Sequence, residues 1–200
     1  MWRMTSESHF RIALVAVIVP TMAVAVWHRL RARSGEPISH KDEGYLFALV
    51  LRLAGLWLWV VTFAYLLYPQ SVLWASLPWP GWLRWIGLVT GALCIVLMYW
   101  TLSSLGKNLT DTVVTRAQAT LVTHGPYRWV RHPFYVTAAL LMASVTLLTA
   151  NWLIGVSSLA VMALLALRTP KEEQKLIERF GDDYRRYMAT TGRYLPRLSR

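Results

Sequence analysis

Between residues 121 and 135 the chain reads LVTHGPYRWVRHPFY, which sets two arginines, two histidines, two tyrosines and two prolines between long apolar runs. A mere connection between apolar segments needs nothing so specific. Pro133 fixes its own backbone torsion and has no N–H to donate, so Arg131 and His132 project from a rigid approach to the following helix. Tyr127 and Tyr135 add flat faces and hydroxyls, and the group together could hold an aromatic ring, a charged amino-acid moiety or a cationic centre. Its nearest chemical companion is the run Arg168-Thr169-Pro170-Lys171-Glu172-Glu173, where the last apolar stretch gives way to a polar tail. Glu172 or Glu173 could accept hydrogen bonds from a ribose diol, and the planar fork of Arg168 could hold a carboxylate. Consecutive helical residues point about 100° apart, so one of the two glutamates is expected to face a shared pocket.

Each residue also has a plainer use. Two glutamates in the first turn of a helix favour its dipole without binding anything. His132 serves equally as an interfacial hydrogen-bonding group, and Tyr127 and Trp129 as membrane-interface aromatics. His124 beside Gly125-Pro126 reads as a turn residue, and Arg128 suits lipid phosphates. His124 and His132 lack a third metal ligand, so no metal is expected. A single cysteine, Cys94 inside an apolar run, excludes an intramolecular disulfide and a cysteine-based metal site. Neither a glycine-rich phosphate loop nor a nucleophile elbow occurs, which removes support for soluble dinucleotide binding and serine hydrolase chemistry.

The elements that must position these residues are set by hydropathy. With 56% hydrophobic residues, eleven tryptophans and only 16% charged residues in 200, the composition exceeds what a soluble core of this size needs. The net charge of +11 is concentrated just outside apolar runs, which fits cytoplasmic membrane loops and argues against a nucleic-acid partner. Apolar runs at 12–30, 45–68, 83–105, 134–149 and 152–167 give five expected transmembrane helices, the last two a tight hairpin about Ala150-Asn151. Pro20 should kink the first, and Asp42 could cap the second. Arginines 29, 31 and 33 hold the flank of the first run, so it reads as an uncleaved helix and not a signal peptide. Arg52, inside the second run, is expected to snorkel to the near interface. Loop 31–44 carries three Lys or Arg, segment 106–133 four and the tail from 168 nine, against none in 69–82 or at the hairpin tip. The positive-inside rule then places the N-terminus outside, and the motif segment and C-terminal tail together in the cytoplasm. The tail should open a new helix at Pro170, with Leu176, Ile177, Phe180, Tyr184, Tyr187 and Met188 on one face and Gly181 as a break. The expected fold is therefore all-α, one integral membrane domain over 1–200 with an amphipathic C-terminal helix, in which 106–135 and 168–198 together form a cytoplasm-facing pocket.

The run LVTHGPYRWVRHPFY, a helical hairpin, then RTPKEEQKLIERFGDDYRRYM and a final TGRYLP resemble the isoprenylcysteine carboxyl methyltransferase family, including its small prokaryotic members. The resemblance covers about residues 102–198, and the joint order of GPY, RHPxY, EE and FGxxY is its most specific part. Phospholipid N-methyltransferases and membrane sterol reductases share pieces of it. The resemblance implies that S-adenosylmethionine is bound by Ala119, Thr120, Leu121 and Val122, by Tyr127, by His132, Pro133, Phe134 and Tyr135, and by Glu172. It further implies that Arg168 faces a lipid-like substrate entering from the bilayer, and that the reaction is methyl transfer to the carboxylate of a prenylated cysteine or a similar acid. The competing readings are a phospholipid amine N-methyltransferase, an NADPH-dependent sterol reductase and a non-enzymatic lipid-binding protein. Thr137 departs from the family, many of whose members carry Gly at this place.

Overall fold

The computed structural model describes residues 2–32, 45–106 and 120–197, with side chains from residue 7 onward. Among the described residues six α-helices follow one another: α1 (Trp2–Ala32), α2 (Tyr45–Leu67), α3 (Gly81–Leu105), α4 (Pro133–Thr149), α5 (Trp152–Phe180) and α6 (Asp182–Thr190). Short 3-10 turns lie at Pro69–Ala75 and Gly125–Arg128. Among the described residues there is no strand, only two isolated bridges, Ser76 with Asn151 and Val130 with Gly192. Helices α1, α2, α3 and α5 are each long and apolar enough to cross a membrane. At 17 residues α4 is shorter, about 26 Å at 1.5 Å per residue. Leu53, Leu56, Val60, Val89, Leu93 and Val96 all face outward, an apolar exterior that suits hydrocarbon and not water.

The chain differs from its sequence-based expectation at its last apolar run. That run was expected to end near 167 with a fresh helix from Pro170; instead α5 continues unbroken through Pro170 to Phe180. Pro170 removes one backbone donor and so frees the Ala166 carbonyl, while the Thr169 hydroxyl donates to the Leu165 carbonyl at 3.0 Å in the same turn. The break comes at Gly181, whose φ of +57° closes α5 with its N–H on Ile177 O at 2.8 Å. In α6, Tyr184 and Tyr187 are buried while Asp182 and Asp183 pair outward with Arg185 and Arg186, as the amphipathic pattern requires. At its other end, α1 extends the 12–30 run to Trp2–Ala32 and runs through Pro20. Arg52 is exposed on α2. Asp42, the expected cap of α2, lies outside the described residues.

Packing is tightest between α3 and α4, and the small residues that permit it sit on α3. A Cβ at Gly87 would meet Ser144 O and Leu148 N at 2.9 Å, and one at Gly91 would meet Val17 Cγ2 at 2.4 Å. Ser144 Oγ donates to Gly87 O at 2.6 Å across this seam. Close approach here therefore does not depend on a glycine at 137. Thr137 is 2% exposed and returns its hydroxyl to Pro133 O at 2.9 Å within α4.

The two ends of the bundle differ in character. At one end, Ala150 takes a left-handed φ of +46° and Asn151 caps α5 while donating to Val72 O at 3.0 Å, which seats the 150–151 turn on the 69–77 loop. Nearby, buried Arg84 joins four helices by bonding Glu7, the Tyr65 hydroxyl and Leu148 O. At the other end the ends of α1 and α3 meet the start of α4, with Ala32, Met98, Leu102, Val24 and Phe134 in one apolar cluster. This second end carries the LVTHGPYRWVRHPFY and RTPKEE residues.

Candidate active site

Gly125 starts the arrangement. Its φ is +60° and a Cβ there would fall 2.3 Å from Ser104 Oγ, so both backbone conformation and the approach to α3 exclude a side chain. The 3-10 turn Gly125–Arg128 then buries Tyr127, and Trp129 packs edge-on against Trp100 at 5.2 Å. Burial first, then the charge of Glu172 and the neighbouring Tyr187, pushes the Tyr127 phenol above its ordinary range. Burial likewise raises Tyr187 to about 12, against the opposing charge of Arg131. Both remain neutral hydroxyls, and Tyr187 spends its proton on the carbonyl of Tyr127, tying α6 to the turn.

From Val130 onward the chain is sewn to its own C-terminal strap. Arg131 N donates to Gly192 O at 2.8 Å and His132 N to Arg193 O at 3.1 Å, two rungs of a short parallel pairing. Glu173, 3% exposed, fixes the same junction from α5. Its Oε1 receives Arg131 Nε at 3.0 Å, Arg131 Nη2 at 2.9 Å and His132 Nε2 at 3.2 Å, and its Oε2 receives Arg193 Nη2 at 2.5 Å. Arg131 also donates to the carbonyls of Met188 and Thr191. With a carboxylate on Nε2, neutral His132 carries its proton there and leaves Nδ1 as an acceptor.

Glu172 points elsewhere, where it accepts the Tyr135 hydroxyl at 2.6 Å. The Tyr135 ring lies nearly parallel to His132, 5.4 Å away at 12°, and the Tyr194 ring of the strap is the other ring neighbour of His132, 5.9 Å away. Tyr194 also shares a hydrogen bond with Thr169 Oγ1 at 2.6 Å. Glu172, Arg168 and Tyr194 all lie within electrostatic reach of the Tyr135 hydroxyl. Four of the sequence-derived site residues, His132, Tyr135, Arg168 and Glu172, therefore meet in one cluster, and Tyr127 is coupled to it through Glu172.

The remaining candidates are placed around it. Pro133 is buried at the first turn of α4, and Val122 is buried, Leu121 half-buried and Thr120 exposed on the approach to the turn. Phe134 turns away to pack with α1 and α3. Ala119 lies outside the described residues. The expectation that one glutamate serves the pocket resolves into a division: Glu172 bonds the motif tyrosine, and its neighbour holds the scaffold. Sequence reasoning missed Glu173, Arg131, Arg193 and Tyr194 as partners. The signal available was TGRYLP, whose spacing from the motif gave no hint that the two strands pair. Among the described residues no three His, Cys, Asp or Glu side chains gather into a metal site.

Residues 85–178 match the model of the isoprenylcysteine carboxyl methyltransferase (ICMT) family. The human protein-S-isoprenylcysteine O-methyltransferase is 31% identical over 130 residues, covering 64% of this chain and 46% of that protein. The mouse protein of the same name is 30% identical over the same shares. The uncharacterized protein YpbQ of Bacillus subtilis is 29% identical over 96 residues, 47% of this chain and 57% of its own. This chain thus spans about half the length of the curated relatives it matches. In fold it is similar to the eukaryotic intramembrane Ras methyltransferase ICMT, with a TM-score of 0.59 and 24% identity over 92% of this chain and 67% of that one. The matched region runs from α3 through the motif and the paired glutamates, and over it this chain is similar to the isoprenylcysteine carboxyl methyltransferase family.

Proposed function

We propose that this chain transfers the methyl group of S-adenosylmethionine to the carboxylate of a prenylated cysteine or a similar lipid-like acid at a membrane. The observation that carries the reading is the convergence of His132, Tyr135, Glu172 and Arg168 at one end of the bundle, inside the region that matches the family. Their chemistry fits the cofactor. Glu172 is half-buried with acceptor capacity left after Tyr135, which suits a ribose diol or an ammonium. The aromatic faces of His132 and Tyr135 suit adenine or the sulfonium, and Nδ1 of His132 can take a donor. Tyr127 and the segment Thr120, Leu121 and Val122 close the adenosine side, with Pro133 and Phe134 fixing the helix start.

When bound, S-adenosylmethionine supplies an electrophilic methyl on a positive sulfur. The acceptor carboxylate is already ionised at neutral pH, so the protein needs no general base. Arg168 holds and aligns that carboxylate through its fork, and the apolar surroundings strip water from it. A cationic amine acceptor would meet the Arg168 guanidinium, which argues against phospholipid N-methylation. The topology that serves this reaction has five crossings with α4 and α5 as a hairpin, the N-terminus outside, and the site and α6 on the cytoplasmic face. The distribution of Lys and Arg supports it, and it lets a soluble cofactor and a bilayer substrate arrive from different directions.

The test is binding of radiolabelled S-adenosylmethionine to the detergent-purified protein, followed by methylation of a prenylcysteine analogue. Binding with transfer to the analogue is expected. Absence of S-adenosylmethionine binding, with NADPH bound instead, would end the methyltransferase reading.

A further inference from the structure

The strap that pairs with residues 130–132 delivers a side chain as well as a backbone. Tyr194 is half-buried, its ring is 5.9 Å from His132, and its hydroxyl reaches Thr169 Oγ1 at 2.6 Å, one residue from Arg168. The direction of that bond follows from proton count. A threonine hydroxyl has one proton, and Thr169 gives it to Leu165 O at 3.0 Å within α5. Thr169 is 0% exposed, so no solvent offers it another partner. Tyr194 must therefore donate to Thr169 and keeps only acceptor lone pairs. Among the described residues its hydroxyl bonds Thr169 alone, and it lies within electrostatic reach of the Tyr135 hydroxyl, as Glu172 and Arg168 do.

A phenol locked as an acceptor discriminates by charge. It repels a carboxylate, which is itself an acceptor, and it favours a positive group. From this we infer that Tyr194 is a further cofactor-binding residue, whose oxygen faces a positively charged group of S-adenosylmethionine, either the ammonium or the sulfonium. The inference rests on the methyltransferase reading above. It also gives the strap a purpose: the pairing of Arg131 and His132 with residues 192 and 193 sets the position of the next residue, Tyr194.

The test compares the full-length, detergent-purified protein with Tyr194→Phe, which keeps the ring and removes the oxygen. Binding of S-adenosylmethionine, S-adenosylhomocysteine and 5′-methylthioadenosine is measured by titration calorimetry. The last ligand keeps the adenosine and sulfur but has neither positive group. A hydrogen bond or close contact to a charged group accounts for roughly tenfold or more in affinity, so Tyr194→Phe should weaken S-adenosylmethionine by at least that factor and leave methylthioadenosine unchanged. If S-adenosylhomocysteine weakens too, the oxygen meets the ammonium; if it is spared, the sulfonium. Thr169→Val, which frees the phenol to turn, should show the same pattern at about threefold. Unchanged binding of all three, or an equal fall for all three, would overturn the inference while the methyltransferase reading stands. Failure of the unaltered protein to bind S-adenosylmethionine would overturn both.

Discussion

Replacing Glu173 by Gln removes one charge without changing shape, and its consequence can be worked from the contacts. Glu173 is the shared counter-ion of Arg131, whose side chain is 9% exposed, and of Arg193, which is 42% exposed. Removing one partner of a buried pair costs about 3–5 kcal/mol, because the remaining charge stays desolvated. The exposed Arg193 contact contributes little once screened by water, and a Gln oxygen still accepts one of the Arg131 bonds. About 3 kcal/mol is then the expected loss. It falls on one junction, since Arg131 and Arg193 belong to the motif and the strap, and both are released together.

The assay reads that junction directly. The amide protons of Arg131 and His132 are held by the carbonyls of Gly192 and Arg193, so they exchange with solvent only when the strap lifts. In hydrogen–deuterium exchange on the protein in nanodiscs, a 3 kcal/mol loss should speed exchange at 130–133 by on the order of a hundredfold, with the α3 and α4 amides unaffected. Glu172→Gln serves as the control: it touches Tyr135 and should leave exchange at 130–133 unchanged while reducing S-adenosylmethionine affinity about tenfold. If Glu172→Gln opened the strap and Glu173→Gln did not, the division of labour between the two glutamates would be wrong.

Two further outcomes follow from single contacts. Arg168→Ala should reduce turnover of a prenylcysteine analogue by about a hundredfold or more while largely keeping S-adenosylmethionine binding, measured by pairing steady-state kinetics with titration; intact turnover would remove its substrate role. Gly125→Ala places a side chain at φ +60° and against Ser104 Oγ at 2.3 Å, so it should lower stability by about 2 kcal/mol or more, whereas Gly55→Ala, with nothing within 4 Å, should be neutral or mildly stabilising in the same thermal melt.

How much of this could be read beforehand depends on the range of the interaction involved. The apolar helices were legible because hydropathy is a local sum, and α2 and α3 fall within a residue or two of the apolar runs that foretold them. The cluster of His132, Tyr135, Glu172 and Arg168 was legible from residue type together with resemblance. The course of α5 was not, because Pro170 has two good uses, opening a helix or lying within one that neighbours stabilise, and no local rule decides between them. The junction role of Glu173 was hidden for a similar reason. Its partners Arg131, His132 and Arg193 lie 42, 41 and 20 residues away, and no local rule connects them.

The unbroken α5 sets four residues of one helix face against Tyr135, Tyr194 and the Arg131–His132–Arg193 junction. At about 100° per residue, Arg168, Glu172, Thr169 and Glu173 occupy successive positions across an arc of roughly 140° on one helix surface. In that order they meet the Tyr135 neighbourhood, the Tyr135 hydroxyl, Tyr194, and the Arg131–His132–Arg193 junction. A helix that stopped before Pro170 and restarted after it would set Arg168 and Glu172 by separate means, and any tilt between the pieces would move one relative to the other. Continuity removes that freedom, so the position of Arg168, proposed to hold the acceptor, is tied to that of Glu172, proposed to face the cofactor, by a single turn of backbone. The same backbone runs back through Ser157, which accepts the Trp57 indole N–H of α2 at 3.1 Å, into the apolar part of the bundle. The polar end of α5 is thus braced by the apolar end of the same helix, and the strap is held to that polar end by Tyr194 on Thr169 and Arg193 on Glu173.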